Sequence, residues 1–141
     1  MTPTEIVVHH SAGEDRPGLD AAGIRRYHRE ERGYLDIGYH ALVEMVDGEP
    51  FALIGRPWHW PGAHCKGHND RALGIAFVGN YSVDELPDAL FHAGYNTIRT
   101  WMRLFAIPPE RIFRHSDLAA TECPGLLFPW ARLLKLCGGK A

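Results

Sequence analysis

The chain has 141 residues, 45% of them hydrophobic and 23% charged, with a formal net charge of −2. That is the size of one ordinary domain with enough apolar material for a core, and the composition is neither that of a disordered chain nor that of a membrane-spanning one. The slightly acidic balance excludes nucleic-acid or anionic-lipid binding driven by charge alone, and the 3 cysteines argue against a disulfide framework, being odd in number and lacking a basic-then-apolar leader ahead of them.

"TEIVVHHS" is a β-branched run and reads as a buried strand. After the turn-rich "AGEDRPG", Asp20 caps a helix through "AAGIRRYHREER", with Ala21, Ile24 and Tyr27 spaced by three and Gly33 as the stop. "GYHALVEMVDGEPFALIGR" is a hairpin: Tyr39, Ala41, Val43 and Met45 alternate onto one face, and Asp47-Gly48 makes the turn. "RPWHWPGAHCKGHND" holds too much Pro, Gly and His for regular structure and is expected to be a long surface loop. "ALGIAFVGN" is an unbroken apolar run, suited to a central strand covered on both faces. Pro87 opens a helix to about Phe105, with Leu90, Ile98, Trp101 and Phe105 on one side. "RIFRH" reads as a short strand, and "LLFPWARLLKLC" as a closing helix with Gly138-Gly139 beyond it. No repeat or linker interrupts the pattern, so residues 1–141 read as a single α/β domain, its sheet covered by helices on both faces.

Three groups have the chemistry of a metal site. His9 ends the first strand, His115 ends the last, and Cys123 follows on a loop eight residues later. Catalytic zinc takes three protein ligands of imidazole and thiolate type and keeps a fourth position for water. A bound cation would also deprotonate and protect a thiol that is otherwise open to oxidation. On spacing alone the same residues read equally as a solvated His115, a buried His9 and an idle Cys123, because His9 is far away in sequence. His10 reads as structural rather than as a fellow ligand, since neighbours on a strand point to opposite faces and cannot readily bind one ion.

Four motifs occur in order: "IVVHHSAG", "DIGYHALVEMVDG", "GAHCKGHNDRALGIAFVGNY" and "RHSDLAATECPG". Together they resemble the zinc-dependent type 2 N-acetylmuramoyl-L-alanine amidases, which include the phage T7-type lysozyme and the peptidoglycan recognition proteins. The likeness runs from about Ile6 to Trp130. It implies a central mixed sheet flanked by helices, one zinc ion per chain, and His9, His115 and Cys123 as its ligands. Recognition proteins that only bind peptidoglycan commonly carry Ser where this chain has Cys123, so the thiol favours an enzyme. A cytosolic recycling branch of the family has Asp as third ligand and a Glu in the buried strand. Cys123 and Ala76 stand at those places and disfavour that branch, leaving the general base unassigned.

The same resemblance assigns two catalytic helpers. Tyr39 would donate a hydrogen bond to the oxyanion or hold the attacking water, where its residue type alone suggests a strand tyrosine packed on the core. Thr121 matches the Thr of the catalytic recognition proteins rather than the Lys of the T7-type enzyme. It would orient the substrate or intermediate, where local chemistry alone suggests a loop cap. His64 and Asn80 match family positions expected to line the substrate groove, while Trp60 and Trp58 offer flat surfaces for sugar faces and read equally as packing residues.

The expected activity is hydrolysis of the amide between N-acetylmuramic acid and L-alanine, by a monomer acting on peptidoglycan without nucleic acid or membrane insertion. A compact endolysin, cytoplasmic until released to the wall, suits the absence of a recognisable leader. The rival functions are a recognition module with little turnover and a peptidase cutting within the stem peptide.

Overall fold

The computed structural model describes residues 1–140. Strand β1 (Glu5–His10) lies between two parallel neighbours, β4 (Ala72–Phe77) and β5 (Ile112–Arg114). On the far side of β4, β2 (Ala41–Val46) is parallel to it and antiparallel to β3 (Glu49–Ile54). The result is a mixed five-stranded sheet of order β3-β2-β4-β1-β5. Every residue of β1 and β4 is buried, which is why both read as unbroken apolar runs. Between β2 and β3, Asp47 and Gly48 both adopt positive φ, 50° and 81°, the two-residue turn that Asp-Gly favours.

The two faces of the sheet bury different things. Ile6 and Val8 of β1 with Leu73, Ile75 and Phe77 of β4 face the main core. There they meet Leu90, Phe91 and Ile98 of α2 (Asp88–Phe105), Phe128, and Leu133 of α4 (Trp130–Leu136). On the other face, Ala21 and Ile24 of α1 (Ala21–Glu30) pack near Leu42 and Ile37, while Val7 and Ala72 pack against Cys65 and against Leu118 of the one-turn α3 (His115–Leu118). By alternation Glu5 and His9 fall on this second face with Val7. Helices therefore flank the sheet on both sides, as expected.

α1 begins where Asp20 predicts: its Oδ1 accepts from Gly23 N–H at 2.9 Å, and buried Glu44 on β2 accepts from Ala21 N–H at 2.7 Å. It ends at Glu30, two residues before the end of the predicted run, and Gly33 follows at φ +68°. α2 runs from Pro87 as cap to Phe105 as expected, closed by Ala106 in the left-handed region.

Four expectations need correction. Tyr39 precedes β2 rather than lying in it, and its ring packs with Ile37 and Leu42 on the α1 face, opposite Ala41 and Val43. The two-residue alternation breaks because the chain bends at Gly38 and again at His40 before the strand begins. His115 opens α3 instead of ending β5: Asp117 reaches back to accept from Arg114 N–H at 2.9 Å, a bond that starts a helical turn there. α4 begins only at Trp130, because the proline at 129 disfavours helical geometry in Phe128 before it. The stretch 56–70 has no helix or strand, as predicted, but it is not wholly surface: Cys65 is 2% exposed.

Candidate metal centre

Three chain segments converge on the α1 face near the end of β1. His9 is carried by that strand and is 1% exposed. His115 stands in the first turn of α3, directly after the neighbouring strand β5, and its ring centroid lies 4.5 Å from that of His9. The loop after α3 folds back on itself, with Ser116 N–H donating to Cys123 carbonyl oxygen at 2.9 Å, so His115 and Cys123, eight apart in sequence, become neighbours. Pro124 follows Cys123 through a cis peptide bond. Gly125 then takes φ +102°, and a Cβ there would lie 2.2 Å from the Tyr81 backbone, so only glycine fits.

The potential ligand atoms of His9, His115 and Cys123 all lie within 4.8 Å of one another. His9 Nδ1 is 3.7 Å from Cys123 Sγ. Zinc at its usual distances from imidazole and thiolate, with a tetrahedral angle between them, sets nitrogen and sulfur about 3.5 Å apart. The observed spacing fits that requirement. Burial holds the His9 imidazole well below its ordinary range, with His64 and His115 adding to the effect, and burial lowers His115 as well. Both rings are thus neutral and free to ligate at neutral pH. Burial pushes the Cys123 thiol up to about 11, against the pull of the His10 backbone N–H that donates to Sγ at 3.3 Å. A thiolate at this position needs a cation beside it. The site is a donor set of two neutral imidazoles and one thiol, which suits zinc.

The model of the N-acetylmuramoyl-L-alanine amidase family matches residues 1–126. The chain belongs to that family. It is 38% identical over 133 residues to an N-acetylmuramoyl-L-alanine amidase of Mus musculus, a match covering 85% of this chain and 24% of the mouse protein. It is 32% identical over 125 residues to peptidoglycan-recognition protein SC1a of Drosophila melanogaster, covering 84% of this chain and 66% of the fly protein. Among solved structures it superposes on the endolysine N-acetylmuramoyl-L-alanine amidase LysCS from Clostridium intestinale with a TM-score of 0.84 and 28% identity, covering 99% of this chain and 86% of that one. The chain spans about a quarter of the length of the mouse relative.

Within this amidase-family site, the other residues singled out from the sequence fall into two groups. Tyr39 is at the centre: its ring centroid is 5.2 Å from His9 and 6.3 Å from His64. Its hydroxyl bonds no described residue, yet no fully buried polar side-chain atom lacks a partner among the described residues, so the hydroxyl is not sealed from solvent. Burial, and secondarily Cys123, raise the phenol far above its ordinary range, which keeps it a proton donor. His64 is also at the centre, with Nδ1 3.0 Å from His9 Nε2.

Thr121, Asn80 and Trp60 are placed differently. Thr121 is exposed and its Oγ1 accepts from Cys123 N–H at 3.2 Å, holding the ligand loop. Asn80 uses its Oδ1 on a local turn, accepting from Ser82 N–H at 3.2 Å. Trp60 exposes its indole, and its carbonyl oxygen accepts from His40 Nε2 at 3.0 Å. Trp58 lies away from the site, its ring 5.2 Å from Phe105, on a cavity of about 670 Å³ between the β2–β3 hairpin and α2.

Three supporting residues escaped the sequence reading. Asn69 Oδ1 accepts from both His64 N–H and Cys65 N–H at 2.9 Å, pinning the irregular loop. An Asn in a Gly-rich turn five residues after a groove His is a detectable signal for such a clasp. His28 on α1 accepts from Gly38 N–H at 3.0 Å and its ring lies 5.6 Å from Tyr39, fixing the bend that carries the phenol. His40 Nδ1 accepts from Gly74 N–H at 3.0 Å, so its Nε2–H is the donor to Trp60. Burial lowers His40 to about 4, and it stays neutral.

Proposed function

We propose that this chain is a zinc-dependent amidohydrolase that cleaves the amide between the lactyl group of N-acetylmuramic acid and L-alanine in peptidoglycan, acting as an endolysin-type wall-degrading enzyme. The observation that carries the reading is the convergence of His9, His115 and Cys123, with the Tyr39 ring 5.2 Å from that of His9. His9, His115 and Cys123 would hold the metal, which when bound supplies Lewis acidity and lowers the pKa of water toward ~7. Tyr39 donates a hydrogen bond to the amide oxygen as negative charge grows on it, and its raised pKa keeps that donor protonated through neutral and moderately alkaline pH. Thr121 accepts from the Cys123 backbone and keeps its own O–H to donate toward bound substrate. Ala76 pairs with His9 across the β1–β4 ladder and offers no carboxylate base, so the proton of the attacking water passes to solvent or to the departing amine.

Mass spectrometry of purified peptidoglycan digested by the protein with stoichiometric zinc tests this reading. The expected fragments carry a free lactyl carboxyl on muramic acid and a new amino terminus on alanine. Muramic acid still bearing L-alanine, with cuts further along the stem, would instead identify a peptidase. Wall binding without any released fragment would identify a recognition module.

A further inference from the structure

His64 lies against the sheet where two glycines leave room for it. A Cβ on Gly74 of β4 would lie 2.5 Å from His64 Cδ2, and one on Gly62 would come equally close. The ring fills that space and spans from the Ala72 carbonyl oxygen, 3.2 Å from Nε2, to His9 Nε2, 3.0 Å from Nδ1. Both ring nitrogens are therefore used within the protein, and the backbone of His64 is clasped by Asn69.

The protons in this chain follow from the acceptors. A carbonyl oxygen only accepts, so His64 Nε2 carries the hydrogen in its bond to Ala72. In a neutral imidazole the other nitrogen, Nδ1, is then bare and accepts. His9 Nε2 must therefore be the donor, which leaves His9 Nδ1 with its lone pair exposed. That is the nitrogen 3.7 Å from Cys123 Sγ. The Ala72 carbonyl, two hydrogen bonds removed from His9 and on a different strand, thus decides which nitrogen of His9 faces the metal position.

We infer that His64 is a positioning residue: it transmits the polarity of the Ala72 carbonyl to His9, locking His9 as the Nε2–H tautomer with Nδ1 presented as ligand, rather than contacting substrate. Outer partners of this kind orient a ligand ring and raise its basicity, and their loss typically weakens metal affinity by about 10–100-fold. The role in metal affinity rests on the zinc reading above; the tautomer itself does not.

Two variants separate this role from simple packing. H64F keeps a ring in the glycine-lined space but removes the acceptor. H64N places Oδ1 where Nδ1 stands and restores an acceptor for His9. Long-range proton–nitrogen NMR of the full chain without metal should show His9 as the Nε2–H tautomer in the wild type and in H64N, and a mixture of tautomers in H64F. Competition with a chelator should show zinc bound about 10–100-fold more weakly by H64F and within about threefold of wild type by H64N. Equal zinc affinity in all three proteins, or equal losses in both variants, would overturn the role. A wild-type His9 carrying its proton on Nδ1 would overturn it whatever the metal result. A wild type that has the expected tautomer but binds no zinc would contradict the zinc reading and leave the tautomer lock standing.

Discussion

Tyr39→Phe removes one oxygen and keeps the ring. The ring is what the surrounding structure holds: it packs 5.2 Å from His9 and 5.6 Å from His28, between the bend at Gly38 and the sheet. The hydroxyl bonds no described residue and is not sealed from solvent. Its loss breaks no hydrogen bond of the folded chain, so stability should change by less than the ~1 kcal/mol typical of one such bond. Zinc content should be unchanged, because Tyr39 is not among the ligands. Hydrolysis should behave differently. A single donor aimed at a developing oxyanion is worth about 10²–10³ in turnover, or roughly 3–4 kcal/mol of transition-state stabilisation. The assay is release of amino-terminal alanine from purified peptidoglycan at saturating substrate, alongside a thermal melt and elemental zinc analysis. Tyr39→Ala is the contrasting control, since emptying an aromatic site in the interior costs about 3–5 kcal/mol and should lower the melting temperature plainly. Wild-type turnover in Tyr39→Phe would refute the donor role, and zinc loss in the same variant would move Tyr39 into support of the metal site.

Cys123→Ser should keep the fold, because a hydroxyl can still accept the His10 N–H that Sγ accepts, while zinc and hydrolysis are lost; elemental analysis and the same release assay check both. Gly125→Ala places a Cβ 2.2 Å from the Tyr81 backbone at a φ of +102°, so it should displace the Cys123 loop, lowering both the melting temperature and zinc retention measured by chelator competition. Glu5, 2% exposed, would be raised by burial, but its bonds from His68 and Arg71 outweigh that and hold its carboxyl below the ordinary 4.5. A depressed folded pKa contributes stability that is fully present above the unfolded value and is lost as pH falls through the lower folded one. Denaturant titrations should therefore show wild type losing stability below about pH 4.5, with Glu5→Gln less stable by about 1.5–3 kcal/mol at pH 7 and flatter across that acid window. An unchanged acid slope in Glu5→Gln would remove Glu5 as the source.

The parts of the fold that sequence pattern reveals are those whose chemistry is local. β1 and β4 are visible as apolar runs because both faces of each are covered. The hairpin is visible because Asp47-Gly48 supplies the positive φ its turn needs. That His9, His115 and Cys123 belong together was legible only through the ordered motifs, since spacing says nothing about His9 meeting Cys123 across 114 positions. His64 was visible as a groove residue, but its contact with His9 depends on the β1–β4 register and on the missing side chain at Gly74, and neither can be read from one strand alone. Tyr39 was assigned to the wrong face because period-two counting assumes a strand that has not yet begun at Gly38. Thr121 carried two readings, and its bond to the Cys123 backbone is the loop cap that residue type alone suggested.

The most direct test of the central claim is a crystal structure of the zinc-loaded protein with anomalous data collected on both sides of the zinc edge. The account predicts one strong peak per chain, about 2.0–2.1 Å from His9 Nδ1 and from a His115 nitrogen and about 2.3 Å from Cys123 Sγ, with His9 Nε2 still bonded to His64. No peak at that position, or a zinc bound elsewhere with Cys123 left as a free thiol, would contradict it.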